Sequence, residues 1–274
     1  MVIDFNQDLE GIVWDGQEIM QPDIKPREGL IAGVGNSIYL LEEEGKKLLY
    51  AERPYQVNGL CVVDGLLYAT LEGQITVEDV ATGKIEYIQR DGWVESIVPY
   101  KDGVLDCGDY AGMFEWKHMP NSSNTGSTYA QGLDGMKSPA DYKGELHVLS
   151  NKRILNIPGK KFIDGKHYNC IGVHHDKLLA ADKPHTRATQ DIYVLDIRNK
   201  MVHSKKVLAK RKEVTHALIS FNDDLLDATG SKVYSTTKDL KGKRPLWKMP
   251  DVVHSLAVVP MDVWELMAQG KVRV

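Results

Sequence analysis

Seven polar side chains able to hold a metal ion or a small ligand recur at nearly regular intervals: Glu10, Asn58, Glu95, Asp134, Asn169, His216 and His254. Carboxylate and amide oxygens suit hard cations such as calcium or magnesium, whereas imidazole nitrogens suit zinc or manganese. His216, His254 and Glu10 form a two-histidine, one-carboxylate set of the kind that holds manganese, iron or zinc, provided the chain closes so that they become neighbours. Asn58, Glu95, Asp134 and Asn169 form an oxygen-rich arc better matched to calcium. The competing reading is structural: such groups are hydrated, or they bond to free backbone groups where strands begin.

Each of the seven stands second in a phrase of apolar, polar, small and apolar residues. The phrases are Leu9-Glu10-Gly11-Ile12, Val57-Asn58-Gly59-Leu60, Val94-Glu95-Ser96-Ile97, Leu133-Asp134-Gly135-Met136, Tyr168-Asn169-Cys170-Ile171, Thr215-His216-Ala217-Leu218 and Val253-His254-Ser255-Leu256. Six intervals cover 244 residues, about 41 each, and a period between roughly 20 and 50 residues marks a repeat architecture. One unit, residues 57–92, contains β-rich runs at Leu60 to Val63, Leu66 to Thr70 and Gln74 to Asp79, separated by Asp64-Gly65 and Glu72-Gly73. Thr82-Gly83 then leads to a fourth run, Lys84 to Gln89. Glycine supplies the positive φ that tight hairpin turns need, so each unit reads as a four-stranded antiparallel meander.

Residues 1–274 therefore read as one all-β domain, a seven-bladed β-propeller, with six blades the alternative if residues 9–55 are irregular. The last unit is short, since 19 residues follow Ser255. The strand Val2 to Phe5 is predicted to complete that blade, which would remove an open sheet edge. Val263 to Gln269 has some helical character, but its place in the repeat argues for strand. In a propeller the first strand of each blade lines the axial channel. The phrase would place its polar residues in a ring at the channel mouth and its small residues in the narrow space near the axis.

A second variable stripe lies within the second strand of the units: Tyr68, Asp106, His147, Ala180, Asp227 and Glu265, with Ala32 in the first. A buried carboxylate must be paired or hydrogen-bonded. Asp106, with Glu265, is a candidate acid or base beside the ring, or else a tie between strands. The longer loop 181–190 carries His185, a second acid–base candidate, and Arg187, whose guanidinium suits an anionic ligand. No nucleophile elbow, phosphate-cradling glycine loop, HExxH or CxxC motif is present.

Glu10-Gly11-Ile12-Val13-Trp14-Asp15 resembles the opening "EGPVW" phrase of the gluconolactonase and regucalcin family, and Asn58-Gly59-Leu60 resembles its "NGL". Leu133-Asp134-Gly135-Met136 followed by Gly144-Glu145-Leu146-His147 is similar to its "PDGM" and "GxLW" segments. The resemblance implies a six-bladed propeller in which Glu10, Asn58 and Asp134 hold a calcium ion that polarises a lactone carbonyl. It covers only the first strands of several units, and the proline of two phrases is missing here. The His216, His254 and Glu10 group is similar to the histidines and glutamate that serve a magnesium ion in the seven-bladed virginiamycin B lyase family.

Bulk properties narrow the function classes. A chain of 274 residues with 42% hydrophobic and 26% charged residues has the composition of a globular protein with ample core. A formal charge of −4 gives no general attraction to nucleic acid or anionic membranes. The basic run Lys200, Lys205, Lys206, Lys210, Arg211 and Lys212 reads as a solvated hairpin. Cys61, Cys107 and Cys170, odd in number and without CxxC spacing, imply reduced thiols and a cytoplasmic setting. No secretory leader is evident and no run approaches the ~18 apolar residues of a membrane helix.

Two functions follow, with a nucleic-acid role resting on the basic run a third. The leading one is a scaffold that binds a protein or small-molecule ligand at the channel mouth through Asn58, Glu95, Asn169 and Arg187. The alternative is a metal-dependent hydrolase or lyase acting on a lactone or sugar derivative. There calcium, magnesium, manganese or zinc would be held by Glu10, Asp134, His216 and His254, and His185 or Asp106 would move the proton.

Overall fold

The computed structural model describes residues 28–100, 103–110, 113–120, 127–131, 137–150, 153–156, 161–164, 166–182, 189–235 and 245–269, with two short paired strands, Val13–Trp14 and Gln17–Glu18. Three sheets are the expected four-stranded antiparallel meanders. The first runs Lys137–Tyr142, Glu145–Ser150, Arg153–Asn156 and Lys161–Phe162. The second runs Tyr168–His174, Lys177–Asp182, Gln190–Arg198 and Met201–Arg211. The third runs Thr215–Phe221, Asp224–Thr229, Lys232–Ser235 and Trp247–Lys248. Their first hairpin turns use the left-handed conformation, as at Lys143-Gly144, His175-Asp176 and Asn222-Asp223, which matches the right-handed twist of the flanking strands.

The other two sheets depart from the repeat. Val253–Pro260 pairs with Glu28–Val34, which continues to Ser37–Leu41 and Lys47–Glu52. The units expected to be the first and last blades are thus one sheet, whose innermost strand comes from the C-terminal phrase and whose outer three strands come from residues 28–52. The predicted closing strand, Val2 to Phe5, lies outside the described residues. Met261–Ala268 is an α-helix, not a strand. It starts after Pro260 and buries Val263 and Met267, four residues apart on one face, against Ile31, Leu40 and Leu60. This leaves Glu265 in solvent, far from the role of a base beside a ring.

The remaining sheet has six strands: Gly59–Val63, Leu66–Asp79, Ile85–Tyr100, Gly103–Tyr110, Met113–Pro120 and Ser127–Gln131. Two units merge here because Ile85–Tyr100 runs unbroken from the last strand of one unit into the innermost strand of the next, pairing with Leu66–Asp79 through its first half and with Gly103–Tyr110 through its second. Within the first unit, Leu66–Asp79 also runs through Glu72-Gly73 instead of turning. Its first part pairs with Gly59–Val63, and its second part forms a hairpin with the start of Ile85–Tyr100. Gly73 keeps a positive φ of 70°, used for a register shift between Glu72 and Gln74 rather than for a turn. Among the described residues, five sheets of four or more strands therefore stand where seven blades, or alternatively six, were expected.

Six strand segments nevertheless form a closed inner ring. Val253–Pro260 packs beside Gly59–Val63, then follow the second half of Ile85–Tyr100, Lys137–Tyr142, Tyr168–His174 and Thr215–Phe221, which packs back on Val253–Pro260. The small phrase position permits this approach: a Cβ on Gly59 would lie 3.0 Å from Ser96 Cα. Cores fill the wedges between sheets, and alternation decides which wedge a residue enters. Leu30 and Ala32 join Leu226, Ala228 and Trp247, while Ile31 between them joins Leu60, Leu67 and Val57. The two halves of the six-stranded sheet pack on each other through Cys61, Tyr68, Val94, Ile97 and Val104. Cys61, Cys107 and Cys170 are all buried and outside any disulfide.

Candidate functional site

The inner ring encloses a cavity of about 360 Å³. Five of the seven phrase residues line it, each from a different innermost strand or its approach: Asn58, Glu95, Asn169, His216 and His254. Ser138 and Pro139 complete the wall from the sixth strand. Repetition explains the convergence, because equivalent positions in radially repeated units fall at one level around the axis. Glu10, Asp134, His185 and Arg187 lie outside the described residues.

The two asparagines serve as latches between neighbouring strands. Asn58 Nδ2 donates to the Val94 carbonyl at 3.0 Å, and its Oδ1 accepts from Gln56 Nε2 at 2.7 Å. Asn169 Nδ2 donates to the Thr215 carbonyl at 2.6 Å. In both cases the acceptor is the first residue of the next phrase. The His216 and His254 rings face each other edge to face with centroids 5.4 Å apart. Burial pushes the His254 pKa below the ordinary imidazole value, against an opposing attraction from Asp251. Its neutral ring offers a nitrogen acceptor or an N–H donor near neutral pH.

Trp93 and Gln56 also line the cavity, and the sequence reading missed both. Each stands two residues before a ring residue, so the position preceding the phrase by one carried the signal. Ser96 and Ser255, at the small position, line the cavity too, and the Oγ of each is buried without a hydrogen-bond partner.

Asp106 is placed elsewhere. It is fully buried and paired with Arg90, with Nη2 to Oδ2 3.0 Å, and it is not part of the cavity wall. Asp227 repeats the arrangement, receiving Arg211 Nε at 2.8 Å and Nη2 at 2.6 Å. These carboxylates tie the last strand of one unit to the second strand of the next. The basic run is likewise engaged with acids: Lys200 with Glu145 at 2.8 Å, Lys210 with Asp191 at 3.1 Å, and Lys205 with Asp164.

The metal sets drawn from the sequence can be tested in part. Among the described residues, no group of three or more His, Cys, Asp or Glu is placed to hold an ion, and Asn58 spends both ends of its amide on protein partners. The described residues thus do not fit a metal centre by themselves. No helix among the described residues is long and apolar enough to cross a membrane.

No protein-family model matches the chain, and no curated protein matches it. Among solved structures, a chain from the crystal structure of a nidogen/laminin complex superimposes with a TM-score of 0.68, covering 85% of this chain and 98% of that one at 14% identity. The fold is a β-propeller. At that identity the likeness concerns architecture alone, and the propeller's chemistry has to be argued from its own axial cavity.

Proposed function

We propose that this propeller, with residues 1–274 acting as one domain, is a binding scaffold that receives a small polar ligand or a partner's side chain in its axial cavity. The observation that carries this reading is the convergence of Asn58, Glu95, Asn169, His216 and His254 on one cavity of about 360 Å³. That volume lies within the range of small-molecule pockets, roughly 300–1,000 Å³, which pair an apolar wall with a few placed polar groups. Asn58 and Asn169 hold the strands in register, leaving Glu95, His216 and His254 as the groups that meet the ligand. A protein partner would dock on the face where the cavity opens, with Trp93 at its rim.

A second reading, the metal-dependent hydrolase or lyase, is favoured by one observation, the 5.4 Å imidazole pair of His216 and His254. It needs Glu10 or Asp134 to complete the ligand set. A thermal-shift screen separates the two. Small polar compounds and calcium, magnesium, manganese and zinc are tested on the wild type, His216→Ala and His254→Ala. A compound that raises Tm in the wild type and in neither variant supports the scaffold. A divalent ion with that pattern promotes the metal reading. Stabilisers that act equally on all three proteins overturn the axial site.

A further inference from the structure

Resting on the axial cavity as the binding site, we propose that its occupant presents a guanidinium group to Glu95. Among the described lining residues Glu95 is the one Asp or Glu, and none is Lys or Arg. A half-buried carboxylate with no cation beside it on the described wall attracts positive charge, so the cavity selects for a cationic group. The remaining wall is rich in acceptors. Asn169 and the imidazoles of His216 and His254 add polar groups from three further innermost strands.

Three features favour guanidinium over a metal ion or a simple ammonium. The cavity is much larger than a single ion requires at bond lengths of about 2.0–2.6 Å. Its acceptors come from several strands around the axis, which a flat group with five N–H donors can reach at once. Trp93, 39% exposed and on the wall, offers an indole face on which a guanidinium stacks. The group can belong to an arginine side chain of a partner or to a free guanidino compound.

The test follows the Trp93 indole and the His254 ring by NMR, assigned through Trp93→Phe and His254→Gln. The probes are N-acetyl-arginine methylamide, its neutral isostere N-acetyl-citrulline methylamide, methylguanidinium, and acetate as the anion. The arginine derivative is expected to shift both signals saturably, the citrulline derivative at least tenfold more weakly, and acetate not at all. Glu95→Gln should weaken arginine binding at least tenfold, while Glu86→Gln, at an exposed pair with Lys84, leaves it unchanged. Trp93→Leu, at an exposed position that folding tolerates, should weaken it severalfold. Methylguanidinium binding as tightly as the arginine derivative supports a free guanidino ligand; a preference for the arginine derivative supports a partner's side chain. Equal binding of citrulline and arginine, acetate binding instead of arginine, or indifference to Glu95→Gln overturns the guanidinium assignment while leaving the cavity a binding site. If no probe moves either signal, the assignment falls, and the thermal-shift screen alone then decides whether the cavity binds anything.

Discussion

Asn58 donates its side-chain amide to the carbonyl of Val94, 3.0 Å away on the neighbouring innermost strand, and Asn169 does the same to Thr215 half the ring further round. Replacing either by Asp removes the donor and sets a carboxylate against a carbonyl. Each substitution should cost about 1–3 kcal/mol, the penalty for leaving a partly buried polar group unsatisfied. Urea unfolding of Asn58→Asp and Asn169→Asp measures it. A loss below ~0.3 kcal/mol in both would mean that the amides are held for a ligand rather than for the strands.

Arg211 and Asp227 carry a sharper expectation. Their side chains are 5% and 0% exposed, Thr229 Oγ1 adds a hydrogen bond to the carboxylate at 2.7 Å, and the guanidinium lies over the Tyr234 ring. Asp227→Leu leaves a buried cation beside apolar surface and should destabilise by about 3–5 kcal/mol. The double change Arg211→Met with Asp227→Leu should recover most of that loss, since an apolar pair of similar volume avoids the desolvation cost. Equilibrium denaturation of the two singles and the double closes the cycle. The parallel pair Arg90 and Asp106 should respond in the same direction.

Much of this arrangement was written in the repeat. Phrase residues share a structural level, so Asn58, Glu95, Asn169, His216 and His254 meet on one cavity without any of them being adjacent in sequence. The Arg–Asp ties were also legible: Arg90 and Arg211 each precede a ring residue by five positions, and Asp106 and Asp227 each follow it by eleven. Of the two roles that the stripe left open for Asp106, a base beside the ring or a tie between strands, the tie to Arg90 is the one found. Closure was not legible, because a one-dimensional period does not say which terminus supplies the innermost strand of the shared blade. Nor was the merged sheet, since Arg90-Asp91-Gly92, which reads as the end of one unit, lies inside the continuous strand Ile85–Tyr100, and Glu72-Gly73 satisfies a turn and a register shift equally well. The helix Met261–Ala268 was hidden by assigning Val263 and Met267 to the repeat instead of to a four-residue spacing.

Acid should weaken the fold in two stages. Burial lowers the pKa values of His147, His174 and His254 below the ordinary 6.5. Unfolded imidazoles take up protons near 6.5 while the folded ones resist, so the unfolded state binds more protons and stability falls as pH drops from 6.5 toward the folded values. Above 6.5 this contribution is complete and flat. A second loss follows at lower pH, where Glu145, held below its usual range chiefly by Lys200, becomes protonated. Urea midpoints for the wild type and His254→Gln should converge between about pH 7.5 and 5.5, as the variant lacks one of the three imidazoles. Parallel curves would place His254 in water in the folded state.

Gly172 tests the inner ring itself. A Cβ there would lie 2.3 Å from the Leu218 carbonyl oxygen and 2.8 Å from Leu218 Cβ, so the strands Tyr168–His174 and Thr215–Phe221 touch where no side chain fits. The neighbouring atom is backbone and cannot swing aside, so Gly172→Ala must spread two innermost strands. The expected cost is about 1–3 kcal/mol or more, as for other overpacked sites. Gly83→Ala provides the contrast: its space is open, with nothing within 4 Å, and its penalty comes only from a φ of +71°, about 1–2 kcal/mol. The two variants should therefore differ in kind. Gly172→Ala should perturb the ring signals of His216, two residues from Leu218, because it widens the cavity wall, whereas Gly83→Ala lowers stability and leaves those signals in place. Unchanged His216 signals in a destabilised Gly172→Ala protein would mean that strand spacing and cavity shape are independent.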